Sequence, residues 1–212
     1  MSFGHAGILY RNSFVMYDRK TESLWVHVTG RAETGPRKGW KLRFMPSSMT
    51  TWAAWKAAHP HTRVLPGYRR GGFMGTYTGV RSPSGIGLAV RVAFHAKLYP
   101  FKALEREPVV NDRFRDEPVV VVYSAKLGTA SAWRRRLGDR VLSFEPLPPA
   151  GDGDAFRVRD RETGSVWAGL LGEAVAGPLE GQRLEIMPHH PILTSRFAGF
   201  YAGGPVWGGD GD

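Results

Sequence analysis

Asp18-Arg19-Lys20-Thr21-Glu22-Ser23-Leu24-Trp25 recurs as Asp160-Arg161-Glu162-Thr163-Gly164-Ser165-Val166-Trp167, at an offset of 142 residues. The match runs on without a gap through Gly30 and Gly172, Ala32 and Ala174, Gly35-Pro36 and Gly177-Pro178, and Gly39 and Gly181. It continues through Leu42 and Leu184 to Met45-Pro46 and Met187-Pro188. Gly, Pro, Trp and turn formers dominate the shared positions, and these are the residue types a backbone needs to follow one path twice. Self-similarity at fixed spacing is the signature of a duplicated structural unit.

Each copy predicts a β-meander followed by one short helix. In the second, Phe156 and Val158 alternate with Arg157 and Arg159, Arg161 to Gly164 supplies a turn, and Ser165 to Leu171 returns as a strand. Pro178 to Gly181 makes the next turn, and Arg183 to Met187 alternates again before Pro188 stops it. In the first copy the same turns follow Val15 and Tyr17. Thr51 is then a credible N-cap for a helix over Trp52 to His59, ended by Pro60, with Thr194 to Tyr201 as its degenerate twin.

Composition agrees with short strands and tight turns. The 212 residues include 27 Gly and 15 Pro, too many for a long-helix bundle, and 42% are apolar, too many for a disordered chain. With no cysteine, disulfides, thiolate metal sites and cysteine nucleophiles are excluded. No apolar run approaches the roughly 18 residues of a membrane span, and Met1 to Tyr10 lacks the basic region of a signal peptide, so the chain as written reads as soluble. The charge is +10, from 29 basic and 19 acidic residues. An anion or nucleic-acid partner using this arginine-rich surface is one reading. The arginines are interleaved with acids, however, as in Arg157-Val158-Arg159-Asp160-Arg161-Glu162, which argues against a nucleic-acid stripe.

Between the copies, Pro66 to Gly87 is rich in Gly, Tyr, Arg, Ser and Pro and reads as a linker or long loop. Leu88 to Leu98 opens new strand material, and Val119-Val120-Val121-Val122 is a continuous apolar run suited to a strand buried on both faces. The expected organisation is therefore residues 1–65 as the C-terminal part of a first unit, 66–87 as connector, 88–207 as a second unit and 208–212 as a tail. The second unit has a front half that the first lacks. The expectation follows that such a half, if it exists, belongs before Met1 and packs against the first unit. Location is then open, and extracytoplasmic if a leader accompanies that segment.

Several stretches resemble the domain-of-unknown-function 3179 family, a bacterial and archaeal group. They are Leu9-Tyr10-Arg11-Asn12, Met16-Tyr17-Asp18-Arg19 through Ser23-Leu24-Trp25, Thr50-Thr51-Trp52 and Trp55-Lys56-Ala57-Ala58-His59-Pro60. In the second copy, Tyr99-Pro100, Val109-Val110-Asn111-Asp112, Pro118 to Val121 and Gly128-Thr129-Ala130 resemble the family's front half. The resemblance implies a repeat and a β-rich fold but no established reaction. Many members carry a His-x-Glu-like element and a Cys-Pro-Leu-Cys-Gly motif there; this chain has Glu107 and Ser124-Ala125-Lys126-Leu127-Gly128 instead. A thiolate site is thus lost from the second unit.

The candidate site residues are few. Asp18, Arg19 and Trp25, with Asp160, Arg161 and Trp167, could form ligand clamps, each an arginine fork beside an aromatic wall. The stronger reading is that Asp, Thr and Ser brace a turn. Trp52 and Trp55 could line an apolar groove, although packing of the helix onto the sheet accounts for them more simply. His59, His61, His189 and His190 are the clustered imidazoles that could hold a metal, although no His-Glu-x-x-His spacing occurs. Paired carboxylates for acid–base work are weakly signalled: Glu105 and Glu107, two apart, share one face if strand-like, Asp112, Asp116 and Glu117 read as hairpin surface, and Ser124 has no nucleophile-elbow context.

The reading as a whole is an α+β, predominantly β, protein of two tandem related β-meander-plus-short-helix units, the first incomplete. It acts as a noncatalytic structural or binding module for an unknown small molecule or protein, with no cofactor evident. The alternative is part of a metal- or thiol-dependent enzyme whose site requires a further N-terminal segment.

Overall fold

The structure is a computed structural model and describes residues 1–47, 52–64, 85–148 and 156–209. Thr51, the expected N-cap, and most of the expected connector lie outside the described residues. In the first unit, β1 (Phe3–Tyr10), β2 (Ser13–Asp18), β3 (Leu24–Val26) and β4 (Arg31–Thr34) form an antiparallel meander in sequence order. Helix α1 (Trp52–Ala58) follows. The second unit opens with the hairpin β5 (Ile86–Val92) and β6 (His95–Pro100), then one helical turn, α2 (Phe101–Leu104). Next come the sheet β7 (Val109–Phe114), β8 (Glu117–Ser124) and β9 (Thr129–Arg134), and a small ribbon of β10 (Arg136–Leu137) and β11 (Arg140–Val141). Its meander comprises β12 (Phe144–Pro146), β13 (Arg157–Asp160), β14 (Val166–Ala168) and β15 (Glu173–Ala176). Finally β16 (His189–Leu193) pairs with β5, and α3 (Thr194–Phe200) closes the unit.

The duplicated positions carry duplicated elements. β3, β4 and α1 map onto β14, β15 and α3 at the same offset of 142, and the two meanders share their turn hydrogen bonds. Ala32 N donates to Trp40 O as Ala174 N donates to Gln182 O, both at 2.9 Å. Leu42 N reaches back to Gly30 O as Leu184 N reaches Gly172 O. Both meanders bulge at the same point, between Leu24 and Trp25 and between Val166 and Trp167. Gly35 and Gly177 have φ of +84° and +95°, and a Cβ on either would sit under 3 Å from the α-carbon of Ser23 or Ser165. Glycine is required there on both counts. Only the first strand departs from the offset: Phe3 faces Asp18 and Phe144 faces Asp160, a spacing of 141.

The second unit is layered. Its central sheet β7–β8–β9 is buried on both faces, because alternate valines of β8 serve different cores. Val119 and Val121 meet Leu88, Val90, Tyr99 and Phe101 on one side; Val120 and Val122 join Trp133, Phe144, Val158 and Trp167 on the other. The opposite face of the β5–β6 hairpin takes Phe197 and Tyr201 from α3 and the following turn, and Val28 of the first unit packs against that cluster. Further ties between the units are Ser47 N to His189 O at 2.9 Å and Arg11, which donates to the Gly199 carbonyl.

Several expectations need correction. The strand expected over Ser165 to Leu171 is confined to Val166–Ala168, because Leu171 N and Gly172 N turn back to donate to Ala168 O. Arg183 to Met187 forms isolated bridges rather than a regular strand, because its backbone serves two sheets in turn. Arg183 bridges Glu173, while Arg134 N donates to Glu185 O and Met187 N to Ala132 O. Glu105 and Glu107 do not share a strand face: Glu105 is the C-cap of α2, and Glu107 N donates to Ala103 O in a tight turn. Asp112 is no hairpin surface residue but half of a buried ion pair.

Candidate functional site

The two Asp-Arg-x-Thr-x-Ser-x-Trp elements fold into one and the same hydrogen-bonded brace. Asp18 and Asp160 are fully buried, as are Ser23 and Ser165. Thr21 donates its amide (2.8 Å) and hydroxyl (2.7 Å) to the Asp18 carboxylate, and the Trp25 indole N–H donates to Oδ2 at 3.0 Å. Thr163 and Trp167 serve Asp160 in the same way, the indole at 2.8 Å. Each Thr hydroxyl contacts the Ser hydroxyl, whose oxygen accepts an amide from across the meander, Arg37 N or Leu179 N, both at 3.0 Å. Each indole also meets a phenyl edge-on, Phe3 at 5.9 Å and Phe144 at 5.8 Å. Burial pushes the Asp18 carboxyl up, but the Trp25 and Thr21 donors and the nearby Arg37 charge outweigh it and hold the pKa at about 2.

The arginines of the motif stand outside this brace. Arg19 lies over the Tyr17 ring at 5.7 Å, and Arg161 pairs with Glu145 at 3.2 Å on an exposed surface. Trp52 and Trp55 are both exposed on α1, which corrects the expectation that they pack the helix onto a sheet. His59 packs against the Trp55 ring at 4.2 Å with a tilt of 42°, the Trp55 indole donates to Thr62 Oγ1, and His61 is exposed nearby.

His189 and His190 are neighbours on β16 and so project to opposite faces. His189 is fully buried with Nδ1 2.8 Å from Met187 O; His190 packs between Phe44 and Tyr201. Burial pulls both imidazoles down to about 4, and for His190 the Arg91, His189 and His27 charges add to it. Among the described residues, no group of three or more His, Asp or Glu is arranged to hold a metal ion.

At the position of the lost thiols, Ser124 Oγ accepts the Leu127 amide at 3.3 Å and so closes the turn. The adjacent Tyr123 hydroxyl is buried with no hydrogen-bond partner among the described residues, and burial together with the Glu105 charge raises its pKa.

One polar cluster gave no signal in the sequence. Lys97 on β6 lies 3.0 Å from Asp112 Oδ2 on β7, with both side chains almost wholly covered, and Tyr99 donates its hydroxyl to the same oxygen at 2.6 Å. Trp207 lids the pair, its ring 5.0 Å from Lys97 Nζ and 6.1 Å from the Tyr99 ring. Burial raises the Asp112 carboxyl, and Tyr99 and Lys97 overcome it to leave the pKa below the ordinary carboxylate value. An open cleft of about 330 Å³ lies beside Phe94, Phe114 and Tyr201. It is lined by His95 and Arg115, which bond each other at 3.1 Å, and by no carboxylate.

Meanders, brace and layered sheets together define a mostly β, α+β protein built from two related units. The chain belongs to the family described as protein of unknown function (DUF3179), whose sequence profile matches residues 1–86 and, a second time, 82–207. No curated protein and no solved structure matches it. No described helix is long and apolar enough to cross a membrane.

Proposed function

We propose that this chain is a noncatalytic structural or binding module. The observation that carries the reading is the saturation of the duplicated motif: the buried Asp18 and Asp160 carboxylates are engaged by Thr and Trp donors of their own turn. A clamp would need those donors and acceptors directed at a ligand. Ser124 supports the same view, since its oxygen accepts a turn amide and no imidazole is bonded to it. Apolar surface on the first unit, where Leu9, Phe14, Trp40, Met45 and Trp52 are exposed, is available for recognition, and that chemistry suits a protein partner.

The test is a turnover screen of the 212-residue chain on activated esters, phosphate esters and peptides, with and without added Zn²⁺. The expected result is no rate above that of Ser124→Ala and Glu107→Gln. Turnover that disappears in either variant, with an unchanged circular dichroism spectrum, refutes the reading.

A further inference from the structure

The second unit shows what the inner face of such a meander packs against. Phe144, Val158, Trp167 and Leu184 are buried under the β7–β8–β9 sheet, and Trp133 of β9 seals the join. Its ring lies on Gly172, where a Cβ would come within 2.6 Å of Cε3, and its indole donates to Gly169 O at 2.9 Å. Met187 is covered by the core of Leu88, Tyr99, Val119 and Val121, and Phe197 by the β5–β6 hairpin.

In the first unit the matching positions are uncovered. Met45 is 71% exposed against 2% for Met187, and Trp55 is 41% exposed against 2% for Phe197. Phe3, Met16 and Leu42 are only half-buried where Phe144, Val158 and Leu184 are buried. The polar groups of the seam are open as well. Glu185 O, Met187 N and Gly169 O bond to β9 and Trp133, whereas the corresponding Arg43 O, Met45 N and His27 O have no hydrogen-bond partner among the described residues. An apolar face bordered by an unpaired backbone edge is a surface built to receive a sheet.

We propose that the inner face of the first meander docks a protein lobe of the build of residues 85–143: a hairpin, a valine-rich three-stranded sheet and an indole that donates to His27 O. This rests on the chain being a binding module and names the partner of that module. The occupant is a polypeptide of this chemistry rather than a second whole copy, because the 85–143 lobe of another copy is already engaged by its own meander.

The probe is the lobe itself. A chain carrying a second copy of residues 85–143 fused directly ahead of Phe3 reproduces the connection into β12, since Ser143 O and Ser2 O accept from Arg161 N and Arg19 N alike. Peroxide footprinting reads the result, because thioether oxidation follows exposure. In the 212-residue chain Met45 oxidises at least about tenfold faster than Met187. In the extended chain the Met45 rate falls to that of Met187, and amide exchange across the added lobe is protected. Met45 left reactive, or an added lobe that exchanges freely while Met187 stays protected, overturns the proposal. If the extended chain aggregates, the 212-residue chain decides alone: equal Met45 and Met187 rates overturn the proposal, and so does a concentration-dependent dimer that protects Met45. Turnover in the screen above with Met45 protected would overturn the noncatalytic reading and leave this docking intact.

Discussion

Replacing Trp167 by Phe tests whether the duplicated motif is a brace. The indole N–H reaches Asp160 Oδ2 at 2.8 Å in a buried setting, and the ring stands edge-on to Phe144 at 5.8 Å. Phe preserves the aromatic contact but deletes the donor and leaves a void the size of the lost pyrrole. A hydrogen bond to a buried charged group contributes about 1.5–3 kcal/mol, and an incompletely collapsed void adds about 1 kcal/mol. Thr163 continues to donate to the carboxylate, so the charge is not stranded. The expected loss is therefore about 3 kcal/mol, or roughly 6–12 °C in thermal midpoint for a chain of this size. Urea unfolding followed by circular dichroism measures it, with an unchanged m-value showing that the unfolded state is not what moved. A double-mutant cycle with Asp160→Ala isolates the contact and should show coupling of about 1–2 kcal/mol. A loss below about 0.5 kcal/mol, or strictly additive effects, would refute the brace.

Gly177→Ala, and likewise Gly35→Ala, places a Cβ within 3 Å of a serine α-carbon at positive φ and should cost about 2 kcal/mol or more by the same unfolding assay. Lys97→Met strips the buried Asp112 of its counter-ion and should cost about 3–5 kcal/mol, with part of that recovered when Asp112→Asn removes the stranded charge. Stability should also follow pH. His189 and His190 are held at about 4, below the ordinary 6.5, so the unfolded chain takes up their protons first. Stability is then complete above about pH 6.5 and falls as the pH drops toward 4, by on the order of 3 kcal/mol per imidazole. His189→Gln, with a flatter urea midpoint between pH 6.5 and 4, is the expected signature; an unaltered profile contradicts the burial argument.

The duplication was legible because its positions are the ones local physics fixes. Gly35 and Gly177 answer a positive φ and a close approach, and Asp18 and Asp160 find their donors within seven residues. The valine-rich β8 announced itself in the same way, through an unbroken apolar run that only a strand covered on both faces can use. The Lys97–Asp112 pair was not legible, because it joins residues on two different strands and neither has a local pattern that names the other. The path of Arg183 to Met187 was misread for a related reason. Its alternation looks like a strand, yet its partners are split between Glu173 and β9, a tertiary fact without a local signature. The uncovered state of Met45 and Trp55 was legible only at the level of the whole unit: the first unit lacks the front half that covers the apolar Met187 and Phe197 at the matching places.

The brace has a kinetic consequence. Its indole-to-carboxylate contact spans seven residues in each unit, a loop short enough that closing it costs little chain entropy. Both turns can therefore form within their own few residues, ahead of the slow search that pairs β16 with the distant β5. Changes at Trp25 or Trp167 should then slow folding, whereas changes in the β5–β16 pairing should mainly speed unfolding.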